Sequence, residues 1–238
     1  LNDVLEILNF VYSVRDNKLA DPDFENVDIK KLLNEKYLVE NYEKFKKSRQ
    51  KSLIRNFEEV FSSTTHFSLV DKYNNVLSAT SSIESSFGSR LFTNGFFLNN
   101  QLTDFSFKIA DESGVLIKNR PQAEKKPLSS MSPLILFDND NKFYMTIGSP
   151  GGKAIISYVF KSLVSILFLD KNIENAINEP NYIKIKDKIF VETNSLKRTI
   201  RQNSLKRNLT SGLAIIKKKN ELFEAAADSR RDGTVRGN

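Results

Sequence analysis

The hydrophobic pattern divides the chain into a helical opening, an alternating middle and a mixed end. Residues 1–10, LNDVLEILNF, place Val4, Leu5 and Leu8, with Ile7 beside them, on one helical face. Pro22 marks a turn, and Asp28 fits an N-cap for a helix running through Leu32, Leu33 and Tyr37. Residues 46–63 are polar and basic with weak periodicity, which predicts a connecting arm and a boundary. From Thr65 the period shortens to that of a strand. HFSLVD and VLSATSSI alternate on either side of KYNN, predicting a β-hairpin. GFFLNN predicts a short further strand, and residues 103–128, with Pro121 and Pro127, a long surface loop. LILF and KFYMTIG flank DNDN as a second hairpin. SPGG then opens an apolar helix over about residues 152–169, and NIENAINEP forms another that stops before Pro180. The remainder predicts a strand near 188–193, a basic helix near 195–206, and strands at 212–217 and 221–226. Hairpins, then long helices, then more strands predict an α+β layered fold.

Composition narrows the function classes. The 238 residues suffice for one large domain or two small ones, and 18 Phe and 7 Tyr argue for a packed core rather than disorder. The chain opens at Leu1 without a charged-then-apolar leader, the expectation for a mature or truncated form. No apolar run reaches the ~18–20 residues of a membrane span. The longest, AIISYVFKSLVSILFL, is interrupted by Lys161 and by serines and reads as a buried helix. The absence of cysteine excludes disulfides, thiolate metal sites and a cysteine nucleophile. The net charge of +7 is uneven: residues 184–219 hold 11 Lys and Arg against Asp187 and Glu192, a local +9. A solvated basic face, a dock for an acidic polymer and a nucleic-acid surface all fit that run. No zinc finger, RNP aromatic motif or GxxG clamp supports the last.

The chemistry must work without a relay histidine. His66 is the only histidine, so a His-ligated zinc site is not expected, and no metal or cofactor is. DNDN lacks the glycine and distant glutamate of a calcium loop and reads as a turn. A hydroxyl nucleophile can instead use its own α-amine as base, once the preceding peptide bond is cut. Such an amine has a pKa of about 7.7–8.0 and is partly neutral near pH 7. Thr64, ahead of a strand and behind a polar segment, fits that role, and it equally fits a plain polar turn. GSPGG, 148–152, presents bare backbone N–H groups near a helix start. They can receive an oxyanion, or the glycines can simply make a tight turn. In PLSSMSP, 127–133, the paired hydroxyls can cap a strand or hold a carboxylate.

In sequence order, TTHFSLVD, FGSRLFTNGFFLNNQLTDFSF, KKPLSSMSP, GSPGGKAIISYV and AAADSRRDG resemble the γ-glutamyltranspeptidase family of N-terminal nucleophile hydrolases. The likeness runs from Thr64 almost to Asn238, and DPDF at 21–24 resembles the stretch near the end of the family's large subunit. The resemblance implies a four-layer αββα sandwich. Residues 1–63 would be the C-terminal tail of the large subunit with its pre-cleavage linker, and 64–238 the small catalytic subunit, together part of one αββα domain. It implies an autoprocessing γ-glutamyl hydrolase/transferase acting on glutathione-like donors, with water, an amino acid or a peptide as acceptor. The implied partner is the remainder of the large subunit, with no nucleic acid, no membrane span and a periplasmic or extracellular place. A poly-γ-glutamate depolymerase/transferase and a catalytically decayed relative are the alternatives.

Site roles follow residue by residue from the same resemblance. Cleavage falls between Ser63 and Thr64, and Thr64 becomes the nucleophile. Ser82 matches a hydroxyl that hydrogen-bonds it, often Thr in the family, with Thr80 a neighbour on the same strand face. Gln101 and Asp104 match the α-amino site, where a carboxylate and an amide oxygen suit an ammonium. Ser129 and Ser130 match the α-carboxylate pair, and Gly151 and Gly152 the oxyanion backbone. Arg231 is a candidate for site or structural support. Three departures stand out. Glu84 sits where many members carry Asn, Lys153 replaces Ser or Asn after the glycines, and the arginine that usually grips the α-carboxylate lies in the part of the large subunit outside this chain.

Overall fold

The computed structural model describes residues 1–48, 62–185, 188–200 and 202–237. Helix α1 (Asn2–Lys18) runs beyond the expected segment. Leu5, Leu8 and Tyr12 form its buried stripe at three- and four-residue spacing. Ile7 is exposed, against expectation, because the stripe turns away from it. Phe10 points to a second contact, with Tyr42 and Phe45 of α3 (Glu35–Ser48) at ring-centroid distances of 5.4 and 5.5 Å. Asp28 is an N-cap, accepting from the Lys31 N–H at 3.0 Å. The helix it opens, α2 (Ile29–Leu32), lasts one turn. Asn34 starts α3 afresh by accepting from the Tyr37 N–H at 3.0 Å, so Tyr37 belongs to a separate helix. The arm expected over 46–63 begins as the last turn of α3, and its residues 49–61 lie outside the described residues.

Both expected hairpins form. Strands β1 (Ser62–Val70) and β2 (Val76–Ser85) pair around a turn shaped by Asp71, which accepts from the N–H groups of Tyr73 and Asn75 at 2.8 Å each. A small pair follows, β3 (Phe92–Thr93) with β4 (Phe96–Phe97), before the expected long loop. Strands β5 (Leu134–Phe137) and β6 (Phe143–Gly148) make the second hairpin. The helix after SPGG is α4 (Ile155–Leu167), and α5 (Ile173–Asn178) is capped by Asn172. With β10 (Ala214–Lys219) and β11 (Leu222–Ala227), the second hairpin completes an antiparallel sheet in the order β11-β10-β6-β5.

Alternation along β6 sorts the layers. Met145 and Ile147 join Ile155, Tyr158 and Val159 of α4 in the main core. Thr146 points to the opposite face, where its hydroxyl lies 2.8 Å from that of Ser68 on β1. The described residues therefore stack as helices, four-stranded sheet and β1–β2 hairpin. The outer face of that hairpin carries Phe67, Leu69 and Leu77, all more than 40% exposed, where the fourth layer of the sandwich belongs.

A separate three-stranded sheet holds β7 (Tyr182–Ile185), β8 (Lys188–Val191) and β9 (Ser204–Lys206), with α1 packed on β7. Two expectations change here. Strand β7 was not foreseen. The basic helix expected over 195–206 is a short α6 (Asn194–Thr199) followed by β9. Residues Ser204–Lys206 join a parallel ladder with Ile189–Val191, a long-range pairing that overrides the local pattern.

Lys161 of α4 is 2% exposed, and its ammonium donates to the Glu179 carbonyl at 2.7 Å and to Asn181 Oδ1 at 3.1 Å. Burial pushes its pKa from 10.5 down to about 8. Between those values the unfolded chain binds more protons than the folded one, so this group makes stability rise with pH across that window. Lys161→Met is expected to remove a rise approaching ~1 kcal/mol per pH unit. Urea midpoints of both proteins at pH values between about 8 and 10 test this; parallel curves would assign the rise elsewhere.

Candidate functional site

Thr64 lies opposite Ser82 in the β1–β2 ladder, on the face turned toward the four-stranded sheet, and is 8% exposed. Its Oγ1 is 2.9 Å from Ser82 Oγ. The Glu84 N–H donates to the same Ser82 oxygen at 2.9 Å, and either hydroxyl can be the donor in the Thr64–Ser82 pair. The ladder slips at this point: Thr64 pairs with Ser82 but Ser62 with Ser85, so β2 carries an extra residue opposite Ser63. The Ser63–Thr64 peptide thus faces a bulge. Glu84 occupies the bulge at φ 71°, in the left-handed region.

The bulge turns Glu84 toward the next segment. Its carboxylate accepts from the Ser85 hydroxyl and from Asn100 Nδ2, the latter at 3.0 Å. Asn100 leads into a single 3-10 turn, Gln101–Asp104, in which Gln101 Nε2 donates to Asp104 Oδ2. Burial holds the Asp104 carboxyl above its usual range, and the Glu84 charge adds to that. The Gln101 hydrogen bond and the positive charges of Arg15 and Lys153 oppose the rise. Glu84 and Asp104 form a paired acidic wall that a ligand ammonium would satisfy.

The serine pair is shaped by its own loop. Ser129 Oγ accepts from the Met131 N–H at 3.1 Å, and the Ser132 hydroxyl donates to the Ser130 carbonyl at 3.0 Å. Just before them, the Leu128 carbonyl accepts from Arg15 Nη2 at 3.4 Å. Arg15 comes from α1, its side chain is 12% exposed, and its charge reaches Asp104. Serine pair and acidic wall therefore share one neighbourhood. Arg15 was not singled out from sequence; its place in the segment leading to DPDF was the available signal.

Gly151 and Gly152 adopt φ 137° and 55°. A Cβ on Gly151 would also lie 2.5 Å from the Tyr158 ring, so glycine is required there twice over. The turn is tied on three sides. The Ser149 hydroxyl donates to the Pro150 carbonyl at 2.7 Å, the Gly212 N–H donates to Ser149 Oγ at 3.1 Å, and the Tyr12 hydroxyl donates to the Lys153 carbonyl at 2.6 Å. Arg231 stands behind this turn: its Nε donates to the Thr210 carbonyl at 3.0 Å and its stem packs on Gly212. Thr80 points its hydroxyl at His66 Nδ1, 2.8 Å away. Among the described residues no group of three or more His, Cys, Asp or Glu side chains is placed to hold a metal.

A family model described as Gamma-glutamyltranspeptidase matches residues 1–237. The chain belongs to that family. It is 30% identical to the glutathione hydrolase proenzyme of Bacillus subtilis strain 168, over 98% of this chain and 44% of that protein. It is 28% identical to the capsule biosynthesis protein CapD proenzyme of Bacillus anthracis, over 98% of this chain and 43% of that one. A solved γ-glutamyltranspeptidase from Pseudomonas nitroreducens, complexed with L-DON, superposes with a TM-score of 0.64 at 27% identity, covering 73% of this chain and 99% of that one. The chain thus spans less than half the length of the curated proenzymes it matches. The fold is the α+β fold of the N-terminal nucleophile hydrolases.

In this member of the family, Ser82 contacts both Thr64 and the bulge. Ser82→Ala strands the Glu84 N–H and is expected to cost about 1–2 kcal/mol, whereas Ser82→Thr keeps the oxygen and costs little. Chemical denaturation of the three proteins separates these outcomes; equal loss in both variants would show that the hydroxyl is not what matters.

Proposed function

We propose that the protein is an autoprocessing γ-glutamyl hydrolase/transferase acting on glutathione and related γ-glutamyl compounds. The observation that carries this reading is the Thr64 hydroxyl, held 2.9 Å from Ser82 directly after a peptide that faces a bulge. Family membership and the constrained glycine turn support it. In processing, Thr64 Oγ1 attacks the Ser63 carbonyl carbon, the C–N bond breaks, and the acyl group moves to oxygen as an ester. The shift leaves the Thr64 α-amine free, and water then hydrolyses the ester, releasing the Ser63 carboxylate and the Thr64 hydroxyl; the amine's ordinary pKa of about 7.7–8.0 suits a base near neutral pH.

In turnover the amine takes the Thr64 hydroxyl proton as Oγ1 attacks the γ-amide carbon of the donor. Backbone N–H groups of Gly151 and Gly152 receive the oxyanion, and losing one such donor typically costs about 2.7–4 kcal/mol. The proton passes to the leaving amine, giving a γ-glutamyl-Thr64 ester that water or an acceptor amine resolves. Asp104, Gln101 and Glu84 would hold the donor's ammonium, and Ser129 and Ser130 its α-carboxylate. The partner in this reading is the remainder of the large subunit. Placement outside the cytoplasm rests on the family; no helix among the described residues is long and apolar enough to cross a membrane.

A second reading, action on poly-γ-glutamate, draws on the likeness to the capsule biosynthesis proenzyme and on exposed Lys197, Arg198, Lys206 and Arg207. The acidic wall, suited to a free α-ammonium, favours small donors. Turnover of a γ-glutamyl anilide against shortening of the polymer separates the two.

In the full-length precursor, Thr64→Ala is expected to leave one uncut polypeptide without turnover, read by intact mass and anilide release. Cleavage between residues 63 and 64 in that variant would refute the reading. Donor binding needs ionised Asp104, so affinity should fall as pH drops through its raised pKa. Glu84→Gln removes a charge that helps raise it, and should move the fall in 1/KM to lower pH. An unmoved midpoint would uncouple the two carboxylates.

A further inference from the structure

His66 lies two residues after Thr64 on the same inner face of β1 and is 9% exposed. Both ring nitrogens have hydroxyl partners. Nδ1 is 2.8 Å from Thr80 Oγ1, and Nε2 is 3.2 Å from Ser68 Oγ. Ser68 Oγ is in turn 2.8 Å from Thr146 Oγ1 on β6. A neutral imidazole has one donor and one acceptor nitrogen, which matches two hydroxyl neighbours. Burial agrees, pushing the imidazole pKa from 6.5 down to about 4. The ring also packs on Gly148, the last residue of β6 and the first of GSPGG, so closely that a methyl built there would overlap it.

These contacts put one rigid ring between the strand that carries Thr64 and the strand that delivers Gly151 and Gly152. The distance from Thr64 Oγ1 to the oxyanion N–H groups depends on how far apart β1 and β6 stand. Too small a side chain at 66 lets the strands close; any side chain at 148 drives them apart.

We propose that His66 is a positioning residue, a neutral spacer that sets the gap between the nucleophile strand and the oxyanion turn, and that Gly148 is its obligatory counterpart. The proposal rests on Thr64 being the nucleophile. The ring acts through distance and exchanges no proton with Thr64.

The test is a double-mutant cycle in the full-length, processed enzyme, with kcat counted per site titrated by a covalent γ-glutamyl label. Gly148→Ala should lower kcat for a γ-glutamyl anilide by about 10- to 100-fold, the range expected for a misplacement near 1 Å, with donor KM within about 3-fold. His66→Ser should also lower kcat. The double variant should recover kcat at least about 5-fold over Gly148→Ala, because serine leaves room for the methyl. Wild-type kcat in Gly148→Ala, or multiplicative losses in the double variant, would overturn the proposal. Should Gly148→Ala yield no labelled sites, His66→Gln decides alone. Its kcat should drop with both limbs of the kcat/KM pH profile kept, and loss of a limb would make His66 a proton carrier and overturn the spacer role. Turnover by Thr64→Ala would instead overturn the underlying functional reading, so the two failures are distinguishable.

Discussion

The gap between the β1–β2 hairpin and the four-stranded sheet is filled by hydroxyls and one imidazole where hydrocarbon would be usual. Thr64, His66, Ser68, Thr80 and Ser82 face inward, while Phe67, Leu69 and Leu77 face out. A buried polar group left unpaired costs about 1–3 kcal/mol, so this layer tolerates only arrangements in which each hydroxyl finds a partner. A one-residue slip of β1 would bury Phe67 and Leu69 and expose the hydroxyls. The requirement to pair polar groups therefore locks the register, and the register places Thr64 beside Ser82.

The second constraint comes from far along the chain. Residues before the Ser63–Thr64 bond hold both sides of the site. Tyr12 bonds the carbonyl after the glycine pair, and Arg15 the carbonyl before the serine pair. Asp21 accepts from the Lys126 N–H at 2.7 Å, and Glu25 pairs with Arg120 and buried Lys125. These contacts hold the N-terminal segment to the rest without relying on the peptide between them. Behind the glycine turn, a network of buried Lys161, Asn181, Ser211 and Asp228 with half-buried Arg230 and Glu192 fixes the 209–212 segment that supports Ser149 and Pro150.

The residues of the candidate site could be singled out from sequence because they occur in short, ordered motifs. Thr64 lies near the start of an alternating strand, Gly151 and Gly152 lie just before an apolar helix, and Gln101 and Asp104 share one turn. What stayed hidden depends on pairs distant in sequence. Arg15 meets Leu128 across more than a hundred residues, and Tyr12 meets Lys153 likewise. Nothing local marks Gly148 as the seat of an imidazole. The same holds for β9, where a basic, helix-like pattern becomes a strand because β8 offers a free ladder.

By itself the sequence determined the period of each hairpin, the cap at Asp28, and the order of motifs that identifies the family. Those features depend on neighbours a few residues apart. Tertiary structure alone decided how Glu84 comes to face the Asp104 segment through a bulge and what separates the Thr64 strand from the Gly151–Gly152 turn. Each of these is a distance between strands, and such distances follow from packing and polar pairing across the layer, which no local pattern encodes.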